Sequence, residues 1–118
     1  MTRSILALVP AALLVMSGAG VAQAAPTAMN STTVKVTAKD YSFALSSSTV
    51  KAGRITFVIK DAGSAMHDFV IAGHRSKTIG PGKTTRLTVT LKPGRYPYRC
   101  SVDSHAELGM KGVFRVRS

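Results

Sequence analysis

The sequence contains no tryptophan, one cysteine and only five acidic residues, against 16 lysines and arginines in 118 residues. Because this length allows one small domain, it excludes a multidomain oxidase and a doubly wound nucleotide-binding fold with a full substrate domain. An apolar content of 45% with 18% charged residues makes the chain too apolar for a disordered tail. Ten glycines and five prolines, with many Thr, Val and Ser, favour short strands joined by turns.

The N-terminus has the pattern of a secretory signal peptide. Arg3 precedes an uncharged stretch at residues 5–15, and Ala22-Gln23-Ala24 forms a small-x-small cleavage site. We therefore predict a signal peptide at residues 1–24 and an exported protein in the periplasm, the cell envelope or the medium. The alternative is retention as a membrane anchor, since residues 4–25 carry no charge, but Pro10 and the cleavage pattern oppose it.

Cys100 has no partner for an intramolecular disulfide, although small exported domains commonly stabilise a modest core with paired cysteines. A lone thiol in an oxidising compartment is open to oxidation unless it is sequestered, and a bound metal does that. The alternative is a buried cysteine that packs as a small hydrophobic side chain.

Strand patterns recur from Thr32 to the end of the chain. Alternation of apolar and polar residues predicts strands near residues 34–39, 41–45, 55–60, 67–71, 87–91, 95–100 and 112–117. Turn sequences such as Gly80-Pro81-Gly82 separate them. We predict an all-β sandwich at residues 32–118, antiparallel or mixed, with Greek-key connections and about seven to eight strands, after a flexible tail at residues 25–31. One helical turn fits residues 102–109.

Candidate metal ligands cluster before the last strand. Cys100, His105 and Met110 follow one another as Cys-x4-His-x4-Met, and His67 opens an earlier strand. Two imidazoles and one thiolate, with a thioether as weak fourth ligand, are the donor set of a blue-copper electron-transfer site. Taken singly, Met110 also fits ordinary core packing and His105 a solvated loop residue. The joint spacing favours one copper ion per chain.

With these residues in place, the sequence resembles the cupredoxins, the small blue-copper proteins that include plastocyanin, azurin and auracyanin. The similarity spans residues 34–116 and rests on Tyr98-Arg99-Cys100, on the ligand loop, and on Gly109-Met110-Lys111-Gly112 before the last strand. The resemblance implies a cupredoxin-like Greek-key β-sandwich. It also implies that the equatorial ligands are His67, Cys100 and His105. The axial ligand that it implies is Met110.

The sequence departs from the pattern of the cupredoxins at two places. Asp68 stands where the family usually has Asn, and a carboxylate accepts hydrogen bonds from the ligand loop but donates none, which predicts a looser site or a lower potential. Asp103-Ser104 stands where many relatives have Pro-Gly, which predicts a less rigid loop. Neither departure removes a ligand.

The remaining candidate residues have simpler interpretations. His74, beside Gly73, is expected at the surface rather than on a metal. Met66 is a candidate for a distant axial contact through its backbone carbonyl, as in azurin. The tyrosines are expected to be core or sheet-face aromatic residues: Tyr41, Tyr96 and Tyr98.

The basic charge has three interpretations. Lysines and arginines alternate with apolar residues on strands, so the first interpretation is that they keep the faces and edges of the sheets soluble. They also steer a protein toward an acidic redox partner or an anionic envelope surface. Nucleic-acid binding is the weakest, because the chain has no aromatic platform. We expect a redox partner protein with an acidic docking patch, no nucleic acid, no stable membrane insertion after cleavage, and a monomer.

Three functions follow from these residues. The first is an exported carrier of single electrons through one copper centre. The second is a copper-binding protein for sequestration or delivery, and the third is a metal-free module for adhesion or inhibition in which Cys100 is simply buried. Catalysis by copper, as in oxidases and nitrite reductases, requires further copper centres, and His74 is the only histidine left over. We therefore expect no enzyme.

Overall fold

A computed structural model describes residues 30–118. The predicted signal peptide and residues 25–29 of the predicted tail lie outside this part of the chain. The described residues form nine strands: β1 (Ser31–Lys39), β2 (Ser42–Leu45), β3 (Thr49–Lys51), β4 (Gly53–Asp61), β5 (Val70–Ile71), β6 (His74–Arg75), β7 (Thr84–Leu91), β8 (Gly94–Arg99) and β9 (Lys111–Arg117). Within residues 30–118 there is no helix of the length and hydropathy that a membrane span requires.

The strands form two sheets, with the orders β2-β1-β4-β7 and β3-β9-β8-β5-β6. The pairs β1–β4 and β3–β9 are parallel, and the other neighbouring pairs are antiparallel. The predicted all-β sandwich is confirmed, and of the two pairings left open, antiparallel and mixed, the structure has the mixed one. Alternation did not predict β3 and β6, because strands of three and two residues are too short to show a period.

The core lies between the two sheets and follows the period of two. Along β1 the side chains of Val34, Val36 and Ala38 are buried, and the residues between them face outward. Phe57 of β4 packs against Phe69 and Phe114 from the other sheet, with ring centroids 4.9 and 5.1 Å apart. Full burial of such a side chain contributes about 1.5–3 kcal/mol. These contacts fix the two sheets against each other.

Strand direction brings the predicted ligands to one end of the sandwich. Because β1 and β4 are parallel and Ala38 pairs with Asp61, both strands end at the same edge. The segment after β4 carries His67, which exchanges two backbone hydrogen bonds with Ile79, N–O distances 3.0 and 2.9 Å. β8 and β9 are antiparallel, and the connection between them, residues 100–110, lies beside this segment and forms the ligand loop.

Candidate metal centre

Three of the predicted ligands form a compact cluster. The ligand atoms of His67, Cys100 and His105 all lie within 4.8 Å of one another, and all three residues are buried. The Cys100 Sγ is 4.0 Å from Nδ1 of His67 and 3.7 Å from Nδ1 of His105. Both imidazoles therefore turn one ring nitrogen, Nδ1, toward the sulfur, so the three ligand atoms can reach one metal ion.

Met110 joins the cluster through the backbone of the ligand loop. The Cys100 N–H donates to the Met110 carbonyl, and the Met110 N–H donates to the His105 carbonyl, both at 3.1 Å. The Met110 side chain is fully buried. Between these residues the Leu108 N–H donates to the Ser104 carbonyl at 3.2 Å, which closes the single helical turn expected there. The loop is thus a short closed ring whose three candidate ligands are locally constrained.

Asp40 fixes the proton on the imidazole of His67. Its Oδ1 lies 2.7 Å from Nε2 of His67, which is fully buried. Because an ionised carboxylate only accepts hydrogen bonds, Nε2 donates to it, which leaves Nδ1, the nitrogen nearer Cys100, as the one available to a metal ion. A carboxylate in this position orients the ring and makes it a more basic ligand.

The Asp40 carboxylate is itself held by the segment that leads to His67. It accepts the Ser64 N–H at 2.8 Å and the Ala65 N–H at 3.2 Å. These bonds hold the pKa of Asp40 below its usual value, and the bond from Ser64 has the largest effect. The contact with His67 lowers the pKa further. Gly63 permits the approach, since any Cβ at that position would overlap the Asp40 carboxylate.

A second carboxylate lies behind the same imidazole. Asp61, at the end of β4, is fully buried, and its Oδ1 is 4.0 Å from Nε2 of His67. This oxygen accepts the Gly63 N–H at 2.9 Å, whereas Oδ2 has no hydrogen-bond partner among the described residues. The His67 side of the site therefore carries two aspartates from the ends of two parallel strands.

Asp68 links the sheet to the ligand loop. It is buried, and its Oδ1 accepts the Ser101 N–H at 2.6 Å while Oδ2 accepts the Ser101 hydroxyl. Hydrogen bonds to a charged group contribute about 1.5–3 kcal/mol. The carboxylate accepts from the loop as expected, and the two bonds support a braced loop next to Cys100 rather than a looser one.

The backbone explains why Asp103 stands where relatives have proline. Asp103 has a φ of 44°, in the left-handed region. Proline is locked near −65° and cannot adopt this conformation, whereas Asp tolerates it better than most residues. The loop therefore follows a route that Pro-Gly at these positions would not allow.

Three exposed apolar side chains lie on the segments that carry the candidate ligands or beside them. Tyr41, Met66 and Leu108, which we call the apolar rim, are 39, 52 and 62% exposed. The Tyr41 ring lies 4.6 Å from the His105 ring, centroid to centroid. Tyr41 is thus part of the site instead of an ordinary core or sheet aromatic residue. Whether the Met66 carbonyl acts as a distant axial contact stays a prediction.

The other residues singled out in the sequence lie away from the cluster. His74 is exposed on β6, as expected. The Tyr98 ring packs in the core against Phe43 and Phe69, with centroids 5.8 and 5.3 Å apart. The Tyr96 hydroxyl donates to the Lys92 carbonyl at 2.7 Å.

The thiol of Cys100 is held in its protonated form when no metal is bound. Burial raises the pKa of this group, and backbone hydrogen bonds associated with Asp68 and Val102 oppose that effect only partly. A metal ligand must be the thiolate, so metal binding releases this proton. The donor set, two imidazoles and one thiol with a buried methionine beside them, fits a copper ion.

The sequence of this chain matches the model of a known protein family. The model of the cupredoxin-like domain family matches residues 6–113. The chain therefore belongs to the cupredoxin-like family, and the resemblance noted in the sequence is confirmed. A search of curated protein sequences finds no match.

Solved structures show the same fold at low sequence identity. Auracyanin B is 17% identical, with a TM-score of 0.65, over 80% of this chain and 94% of that one. Auracyanin from Roseiflexus castenholzii is 20% identical, with a TM-score of 0.63, over 77% of this chain and all of that one. A copper-containing nitrite reductase from Thermus scotoductus is 15% identical, with a TM-score of 0.61, over 75% of this chain and 28% of that one.

Sequence reasoning missed three residues of the site: Asp40, Tyr41 and Asp61. A signal was available, since two of only five acidic residues end strands that the alternation predicts. Using it requires knowing that β1 and β4 are parallel neighbours, and the alternation does not say so.

Proposed function

We propose that this protein is an exported carrier of single electrons with one copper ion per chain, bound by His67, Cys100, His105 and Met110. The observation that carries the proposal is the convergence of two Nδ1 atoms on one buried sulfur at 4.0 and 3.7 Å. A copper ion held by these residues would supply a one-electron Cu(II)/Cu(I) couple, with one electron taken from a donor protein and one passed to an acceptor.

The chain's own residues keep the site rigid and dry. Asp40 holds the His67 ring in one tautomer, and the Asp68 carboxylate fixes the backbone beside Cys100. Burial of the ligands keeps water from the site, and these hydrogen bonds would hold the ligands in place when the charge on a bound metal changes. These features favour a carrier over a protein that releases its metal readily.

The apolar rim supports an electron path through His105. This imidazole is 6% exposed and its ring lies 4.6 Å from the partly exposed Tyr41 ring, so the path from the site through His105 to the surface is short. We propose a monomer that meets redox partner proteins with acidic docking patches, and export through the predicted signal peptide, with no enzymatic activity of its own.

Spectroscopy of the purified protein with one equivalent of Cu(II) tests the proposal. We expect an intense thiolate-to-copper absorption band with narrow copper hyperfine splitting in the EPR spectrum, and a reversible one-electron wave. Cys100→Ser removes the sulfur that produces the band, so the band should disappear. His74→Ala is the matched control, because this histidine is exposed on β6 and should leave the spectrum unchanged.

A colourless protein with ordinary Cu(II) signals would contradict the carrier function. Tight Cu(I) binding without a reversible wave would then indicate copper sequestration or delivery. Absence of both would indicate a metal-free module.

A further inference from the structure

The outward surface of the five-stranded sheet carries a dense set of positive charges. Its strands contain no acidic residue. Seven exposed cations lie on these strands: Lys51, Arg75, Arg95, Arg99, Lys111, Arg115 and Arg117. We call these cations, together with the apolar residues between them, the basic face.

Strand register places these cations directly against one another. Arg95 lies opposite Arg115, and Arg99 lies opposite Lys111, on the antiparallel pair β8–β9. Lys51 lies beside Arg117 on β3–β9. Like charges in such positions destabilise a sheet. Solubility alone requires no such pairing, so the arrangement indicates a surface that is neutralised by a negatively charged partner.

The other sheet shows that basic charge need not be arranged in this way. Its outward surface, which we call the threonine face, carries five cations: Lys35, Lys39, Arg54, Lys60 and Arg86. In the registers of β1, β2, β4 and β7, their cross-strand neighbours are Val58, Ser31, Ser42 and threonines. Among the described residues of this sheet no two cations face each other.

The basic face also contains an apolar groove. It lies between β5, β8 and β9, has a volume of 480 Å³, and includes Val70, Pro97 and Val113 in its lining. The Val113 side chain is 42% exposed. Arg99 and Lys111 form part of the same lining. An apolar centre with an arginine-rich border is the anatomy of a protein interface.

We propose that the basic face is the docking surface for an acidic protein, which inserts one apolar side chain into the groove. The exchange of electrons with this partner rests on the proposed function. The binding of the partner to the basic face does not rest on it. Arg99 and Lys111 are the chain neighbours of Cys100 and Met110, so the face extends to the ligand loop.

Two features favour an acidic protein over an anionic membrane. The exposed apolar side chains of the face, Pro97 and Val113, are small, and the aromatic residue in the groove lining, Tyr98, packs against Phe43 and Phe69 instead of projecting outward as a lipid-inserting side chain does. Five of the seven cations are arginines, whose planar groups bind carboxylates through two parallel hydrogen bonds.

The test uses a synthetic peptide of Asp and Glu with one central Leu. Nitrogen-15 NMR of the Cu(I) protein should show shifts confined to β5, β8 and β9, and binding should weaken as salt increases. Arg95→Gln with Arg115→Gln should weaken binding about tenfold. Replacing the Leu of the peptide by Ser should also weaken binding, because the groove then loses its apolar occupant.

Arg54→Gln with Arg86→Gln is the matched control, since it removes the same charge from the threonine face. It should change peptide affinity by less than about twofold. The basic-face pair should also raise the melting temperature of the free protein by about 2 °C, because it relieves a like-charge contact, and the control pair should not.

Several results would overturn the proposal. They are equal weakening by both variant pairs, shifts at Tyr41 and Leu108 with none on β5, β8 and β9, equal affinity for the Leu and Ser peptides, or binding to phosphatidylglycerol vesicles but not to the peptide. The titration is repeated on the metal-free protein. Peptide binding there, together with a failed copper test, would keep the docking surface and remove the electron-carrier function.

Discussion

The two sides of the candidate metal centre are built by different means. On the loop side, Cys100, His105 and Met110 lie within eleven consecutive residues and are held by backbone hydrogen bonds of 3.1 Å within that segment. On the sheet side, His67 is held by Asp40, 27 residues away, with Asp61 behind it. The loop ligands depend on local chain geometry, and the sheet ligand depends on the pairing of two parallel strands.

The difference teaches where each property of the site is set. Three of the four candidate ligands and their spacing come from the loop, whereas the two carboxylates beside His67 come from the sheet side. Asp68 is the link, because it follows His67 in the chain and accepts two hydrogen bonds from Ser101 in the loop.

Breaking the link should have the largest effect. Asp68→Ala leaves the Ser101 N–H and hydroxyl without their acceptor, so we expect a loss of about 2–3 kcal/mol in the free energy of unfolding and at least a tenfold loss of copper affinity. Urea unfolding of the metal-free protein and a competitive Cu(I) titration measure the two effects. Asp68→Asn keeps an acceptor and should lose less. An unfolding free energy that Asp68→Ala leaves unchanged would show that the loop supports itself.

Removing charge from the sheet side should alter the potential while the ligand set stays intact. A negative charge beside Nε2 of His67 favours Cu(II) over Cu(I), and Asp40→Asn removes that charge. The reduction potential should therefore rise by roughly 60 mV, a tenfold change for one electron. Voltammetry measures the shift. Asp103→Asn is the control, since it removes the same charge from an exposed position in the loop. Equal shifts in both variants would mean that the hydrogen bond between Asp40 and His67 adds nothing to the effect of a nearby negative charge on the potential.

The smallest effect should come from the covering ring. Tyr41→Leu keeps an apolar side chain but loses the ring that packs 4.6 Å from His105. Such contacts contribute about 1 kcal/mol, so a chelator should extract copper about fivefold faster. Tyr41→Phe keeps the ring and should behave as the unmodified protein. If the Phe and Leu variants release copper at the same rate, the ring has no protective role.

Most of the fold and the four candidate ligands could be predicted from the sequence. Alternation along Val34 to Lys39 and Ile55 to Lys60 marks strands with one buried face, and a cysteine, a histidine and a methionine at fixed intervals mark the loop. The very short strands β3 and β6 escaped, because a period needs several residues to be visible.

The sequence by itself determined the all-β class, the location of the core faces and the ligand loop, because each depends on residues that are close along the chain. Only the tertiary structure decided that Asp40 contacts His67 and that Arg95 faces Arg115. The physical reason is that a period of two tells which side of a strand is buried but leaves open its neighbour, its direction and its register, and those three fix which distant charges meet.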